Sequence, residues 1–377
     1  MSMSCMNGRV VMKNVKRLLL YGLLVLAPLA GSWHGAFAAM GSVGAPPGEE
    51  KAQSVPCGQG RIQSWSLSFD NDILVPSSRD QDYTYGVSIA ASGPAIADGF
   101  WFIHEPLAAL NENLGSYVSA GNAVTHSVEF GIYGFTPEDI AVATPNHDDR
   151  PYASLAYLSA SQEQPGVQEN VVWRSALTLG VLGLDIAGQL QNEVHRRIDS
   201  QIAEGWEHQV SDGGELTARY TLARQTLWTL GNPNLEVKTS WMGSVGYITE
   251  LGYGTSIRFG RIASRWQSYN PELTQYREQA SQAIAGKCQR ESYFVAGVAL
   301  KLRAYNAFLQ GQFRDSEVAY SSSELEHGIV EAWMGYTHAF AGGYRISYVL
   351  RGHSSEVKEG AGDRNVMWGG LTLAQHF

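Results

Sequence analysis

Three stretches of the chain alternate with period two, and the make-up of their two faces constrains the fold more than any other feature. In VVWRSALTLGV, Trp173, Ser175, Leu177, Leu179 and Val181 share one face, opposite Arg174, Ala176, Thr178 and Gly180. In YFVAGVALKLR, Phe294, Ala296, Val298, Leu300 and Leu302 oppose Val295, Gly297, Ala299, Lys301 and Arg303. In YRISYVLR, Tyr344, Ile346, Tyr348 and Leu350 oppose Arg345, Ser347, Val349 and Arg351. Side chains alternate across a strand, so each run has two distinct faces. A soluble sheet would hide its apolar face and set lysine and glutamate outside. Here the polar face carries Gly, Ser, Thr and Arg, which suits a barrel lumen, while the apolar face with aromatic ends suits lipid. Closure removes the unpaired edges that lipid would not tolerate.

The expected fold is therefore all-β, a twelve-stranded antiparallel outer-membrane β-barrel with a helical extracellular loop. Strands are expected near 61–71, 83–92, 124–134, 151–161, 170–183, 215–229, 235–246, 248–261, 291–306, 325–338, 343–353 and 365–377. The competing fold is a soluble periplasmic β-sandwich, because each strand signal is weak alone. With a periplasmic N-terminus, segments 73–82, 135–150 and 184–214 open to the cell exterior, and 93–123 and 262–290 lie on the periplasmic side. Charged residues make up only 17% of 377 and the formal net charge is −9, which leaves no footprint for nucleic acid.

Residues 1–38 read as a secretory signal peptide. Lys13, Lys16 and Arg17 precede the apolar run LLLYGLLVLAPLAG, and Ala36-Phe37-Ala38 forms an A-x-A site before Ala39. Residues 39–60 are a Gly-, Pro-, Ala- and Ser-rich lead-in, and 61–377 form the barrel. No later segment is long and apolar enough for a membrane-spanning helix. Cys57 and Cys288 fall on the same expected side, so a disulfide is possible, but spacing does not decide whether they pair.

Between the first two strands lies SFDNDILVPSSRDQDYTYG, with Asp70, Asn71, Asp72, Asp80 and Asp82. Such a hairpin is either a solvated loop or a holder of something positive. It is not an EF-hand, because Leu74 and Gln81 stand where ligands belong. Asp80 and Asp82 read as solvated loop charges. Strand parity would set Asp72 and Thr84 toward the lumen and Asn71 outward, so Asn71 and Asp72 meet only if the strand ends there. Residues 186–204 read as an amphipathic helix, with Ile186, Leu190, Val194, Ile198 and Ile202 on one stripe. Gln191, His195 and Asp199 form a neighbouring line. Arg150, in DDRPYAS, could pair with Asp149 or position a phosphate, and a structural role in the barrel wall is the favoured expectation. No G-x-S-x-G elbow and no zinc spacing appear.

Three ordered elements carry a resemblance. FDND with DQDYTYG, then YGFTPEDI with DDRPYAS, then QNEVHRRI running on to Gly205-Trp206 together resemble the lipid A 3′-O-deacylase family of outer-membrane barrels. The resemblance covers most of the chain from about residue 61 to Phe377. It implies removal of the 3′-linked acyloxyacyl chain from lipid A in the outer leaflet of a Gram-negative outer membrane. It also implies His195 as the activator of water, Gln191 and Asn71 as further catalytic residues, and Asp72 and Thr84 at a calcium site. The family pattern has an acidic residue six positions after the histidine, where this chain has Gln201, and a lysine in the second outer loop, absent here between Phe135 and Asp149. Asp199 is the candidate substitute carboxylate. The alternatives are an outer-membrane phospholipase and a non-catalytic barrel that binds lipid or passes solutes. Whether the protein is a monomer or a dimer stays open.

Overall fold

The computed structural model describes residues 56–57, 60–75, 82–113, 124–278, 286–287 and 289–377. They fall into two structural units, with Gly188–Ala203 in one and Ser54–Ala187 with Glu204–Phe377 in the other. The second unit is a closed antiparallel barrel. Its strands are β1 (Ser64–Asn71), β2 (Asp82–Ser92), β3 (Thr125–Thr136), β4 (Ala153–Pro165), β5 (Val171–Leu182) and β6 (Glu215–Trp228). They continue as β7 (Leu235–Gly246), β8 (Ile248–Arg261), β9 (Glu291–Asn306), β10 (Gly328–Ala339), β11 (Tyr344–His353) and β12 (Val366–His376). Each strand pairs with its neighbour in sequence, and β12 closes on β1 with Gly370 opposite Asp70. All twelve expected strands are present. Backbone pairing sets Cys57 opposite Gly286, but Cys288 and the leader lie outside the described residues.

The faces sort as the alternation requires. Leu179, Phe294, Leu300 and Ile346 are exposed on the outside, and cross-strand pairs Trp241–Tyr253 and Phe294–Tyr336 bring rings to 4.7 and 4.9 Å there. The lumen is a ladder of buried ion pairs. Lys301 and Arg351 meet Glu331 at 2.7 and 2.5 Å, and Arg303 and Arg219 meet Glu250 at 2.6 and 3.2 Å. Buried charges persist only when paired in this way.

Two connections depart from expectation. Residues 266–278 do not stay at the end of the barrel but enter the lumen. The Arg351 guanidinium donates to the Pro271 carbonyl at 2.6 Å, Lys238 to the Tyr269 carbonyl at 2.6 Å, and Tyr133 to Glu278 at 2.6 Å. Tyr276 stacks on Tyr83 and Trp368 with centroids 5.2 and 5.5 Å apart. A lumen satisfies a polar segment as water does, so polarity in the sequence did not separate the two.

The second departure is at 93–123. Helices α1 (Pro94–Gly99) and α2 (Trp101–Asn113) pack on the outer face of the wall. Val128 and Ala160 point outward, since Glu129 beside Val128 accepts from Tyr157 at 2.5 Å inside the lumen. Ile96 packs on Ala91 and Val128, and Ile103 and Leu107 pack on Ala160 and Leu177. At the end of α2, Asn111 donates to Gln162 at 2.9 Å and Ser175 at 2.8 Å and accepts from the Tyr220 hydroxyl at 2.8 Å. These are outward polar groups that lipid could not satisfy. His104 is buried beside His126, and burial first, then that neighbour, pushes its imidazole down to about 4, so it is neutral at ordinary pH. Asn111→Ala should destabilise the folded barrel by about 1–3 kcal/mol by orphaning these partners. Urea unfolding in lipid vesicles would check it, and an unchanged midpoint would count against the seal.

Candidate functional site

The acid-rich hairpin is shaped by two local breaks. β1 ends at Asn71, and Asp72–Leu74 form a 3-10 turn. The Asn71 side chain caps that turn, its Oδ1 accepting from the Ile73 N–H at 2.8 Å. Its Nδ2 donates across the hairpin to the Thr84 carbonyl. On the other strand the β2–β3 register shifts between Tyr83 and Tyr85, a bulge that leaves Thr84 as the extra residue. Parity had put Thr84 toward the lumen; with the bulge Tyr83 takes that place, buried among Tyr133, Phe135, Tyr276 and Trp368. The Thr84 hydroxyl instead meets that of Thr136 at 2.5 Å. Asn71 and Thr84 are thus joined, with buried Asp72 next in the chain. Gly86 is explained too, because a Cβ there would strike the Tyr83 hydroxyl.

The neighbouring carboxylates are structural. Asp70 is gripped by Arg277, whose Nε donates to Oδ2 at 2.7 Å. Asp82 was read as a solvated charge, but it is buried and pairs with Arg364 at 2.9 Å and Arg150 at 3.4 Å. It sits at φ 69°, a left-handed value that Asp tolerates better than most residues. Asp80 lies outside the described residues. Arg150 is buried and structural as expected, yet its charge partners are Asp82 and Glu356, the latter at 2.5 Å. Asp149 accepts instead from Arg364 at 2.5 Å and from the Glu138 N–H at 2.7 Å. Sequence reasoning missed Glu356 and Arg364 because barrel closure, not proximity in the chain, brings them here.

The other unit holds the histidine. Helix α3 spans Ile186–Ile198, six residues shorter than expected to 204. It stops because Asp199 adopts φ 59°, and the Ser200 N–H caps the His195 carbonyl at 2.9 Å. Asp199 is therefore exposed and off the helical line, whereas Gln191 and His195 are buried one turn apart. The chain then folds back along the helix. The Asn192 side chain donates to the Ala203 carbonyl and accepts from its N–H, each at 2.8 Å. This brace presents the backbone carbonyl of Gln201 to His195 Nδ1. A carbonyl only accepts, so Nδ1 carries the proton and Nε2 is the basic nitrogen. Gln201 thus meets the imidazole with its main chain, at the position where the resemblance expects a carboxylate.

Could the hairpin hold a hard cation? Asp72, Asn71 and Thr84 carry oxygens of the kind calcium takes, but Asn71 Oδ1 already accepts from the Ile73 N–H and the Thr84 carbonyl from Asn71 Nδ2. Among the described residues no group of three or more His, Cys, Asp or Glu is placed to bind a metal. One carboxylate with neutral oxygens fits a weakly held ion, not a tight one.

The family model described as outer membrane protein LpxR matches residues 36–377. Among solved structures, LpxR from Salmonella typhimurium aligns with a TM-score of 0.64 at 17% identity, covering 83% of this chain and 100% of that one. The beta domain of the Bordetella autotransporter Brka gives 0.38 at 11% identity, covering 84% and 100%. KdgM porin gives 0.35 at 6% identity, covering 83% and 99%. No curated protein sequence matches the chain.

Proposed function

The chain belongs to the LpxR outer-membrane protein family, and from that premise we propose that it is an esterase that removes the 3′-linked acyloxyacyl chain from lipid A. The family and the barrel place it in the outer membrane of a Gram-negative bacterium. The end of the barrel that carries the acidic hairpin faces outward in this reading, toward lipopolysaccharide. The observation that supports the chemistry most is the His195–Gln201 hydrogen bond, which fixes one tautomer of a buried imidazole.

In this reading His195 Nε2 takes a proton from water as the oxygen attacks the ester carbonyl. The tetrahedral oxyanion collapses, the carbon–oxygen bond to the sugar breaks, and the leaving alkoxide regains the proton from His195. One water is consumed, and one carboxylic acid and one alcohol are formed. Asn71 and Gln191 orient the ester by hydrogen bonding. Calcium held by Asp72 and Thr84 would, when bound, polarise the ester carbonyl. A lone carboxylate implies a dissociation constant on the order of 10⁻⁴–10⁻³ M.

A solute channel fits poorly with a lumen occupied by Tyr276 and the ion pairs of Arg277 and Glu278. The test is lipid A mass spectrometry from a Gram-negative host expressing the chain, with and without a calcium chelator. Loss of one acyloxyacyl unit, suppressed by chelator and by Asp72→Ala, is the expected result. Unchanged lipid A with new lysophospholipid would make it a phospholipase, and no change in either lipid would defeat the enzymatic reading.

A further inference from the structure

We infer that α2 is an interfacial membrane helix whose outer face contacts phospholipid of the leaflet nearest the strand termini. The placement follows from the sheet register. The outward residues Ala91, Val128, Ala160, Leu177 and Tyr220 are directly paired across β2 to β6, and α1 and α2 lie along this single row. The next outward row toward the loop-rich end is apolar, Ile89, Phe130, Leu158 and Leu179, with Phe130 and Leu179 exposed. The row on the opposite side is polar across β3 to β5, with His126, Gln162 and Ser175, and continues to Leu222 on β6. The helix therefore straddles the line where the wall changes from apolar to polar, which is the boundary of the lipid-facing band.

The helix itself is polarised in the same sense. Asn111 and His104 reach toward the polar row, bonding Gln162 and Ser175 and packing on His126. At about 100° per residue, Glu105 and Glu112 then fall on the edge beside them, both exposed. Phe102, Pro106 and Leu110 fall on the other edge, beside the apolar row. Phe102 and Leu110 are 48% and 39% exposed, whereas Trp101, at the start of the helix, falls by the same rotation on the carboxylate edge. Large apolar side chains continuous with a lipid-facing band, opposite carboxylates on the water side, match a helix lying in the headgroup–acyl boundary. Thirteen residues are too few to cross the bilayer, so the helix lies along the surface.

The test uses the full chain refolded into phosphatidylcholine vesicles, in a Trp101→Phe parent. Phe102→Trp, Leu110→Trp and Glu105→Trp are each added, and the introduced emission is read by difference. The two apolar-edge probes should emit in the blue and lose at least half their intensity in dibrominated lipid. The Glu105→Trp probe should respond mainly to aqueous acrylamide. Acrylamide quenching of all three, with no effect of bromine, would put α2 in water and overturn the inference. Protection of the apolar-edge probes from both quenchers would overturn it as well, placing protein against that face. Two independent apolar-edge positions keep the test decisive if one variant fails to fold.

Discussion

His195→Ala is expected to leave a correctly folded barrel and to slow loss of the acyloxyacyl unit by about 10²–10⁴-fold, the usual loss when a general base is removed. Heat-modifiable gel mobility checks the fold, and timed lipid A mass spectra check the rate. The partners of the imidazole make the prediction sharper. His195 Nδ1 meets the main-chain carbonyl of Gln201, so Gln201→Ala should change the rate by less than about tenfold. Asp199 is exposed and left-handed, so Asp199→Asn should be close to silent. A large loss in Asp199→Asn, or a fully active His195→Ala enzyme, would remove the proposed role of the helix.

The strands were legible because lumen and lipid impose opposite compositions on alternate residues, as Arg174 against Trp173 and Arg345 against Ile346 display. The start of α3 was legible from its four-residue apolar repeat, but its end was not. The stripe runs on to Ile202, while Asp199 turns the chain back. In α2 the spacing of Ile103, Leu107 and Asn111 was the available signal, interrupted for a reader by Pro106. The hairpin residues Asn71, Asp72 and Thr84 could be named from sequence. The bond that joins Asn71 to Thr84 could not, because it depends on a capped strand end and a bulge. Asp82 was misjudged because its partners stand 68 and 282 residues away, at Arg150 and Arg364. The segment around Tyr276 and Arg277 was expected on the periplasmic side, and its entry into the lumen was not legible because a polar, aperiodic stretch reads alike in either setting.

Glu356→Gln should weaken the loop-rich end of the barrel by about 3 kcal/mol, because it strips the shared carboxylate from two buried guanidiniums. Glu356 accepts from Arg150 at 2.5 Å, from Arg303, and from the Asn306 amide at 2.8 Å. Burial alone would raise its carboxyl, but Arg150 and then Arg303 overcome that and hold it well below the ordinary value of 4.5. A carboxyl depressed in the folded state adds stability that is complete above its unfolded value and is lost as pH falls through its folded value. The gap between wild type and Glu356→Gln should therefore be constant above pH 4.5 and shrink as the pH drops below it. Urea midpoints in vesicles across that range measure the gap directly. A gap that grew in acid would mean that the residue is buried as the neutral acid, and the ion-pair account of the hairpin's support, from Glu356 through Arg150 to Asp82, would fail.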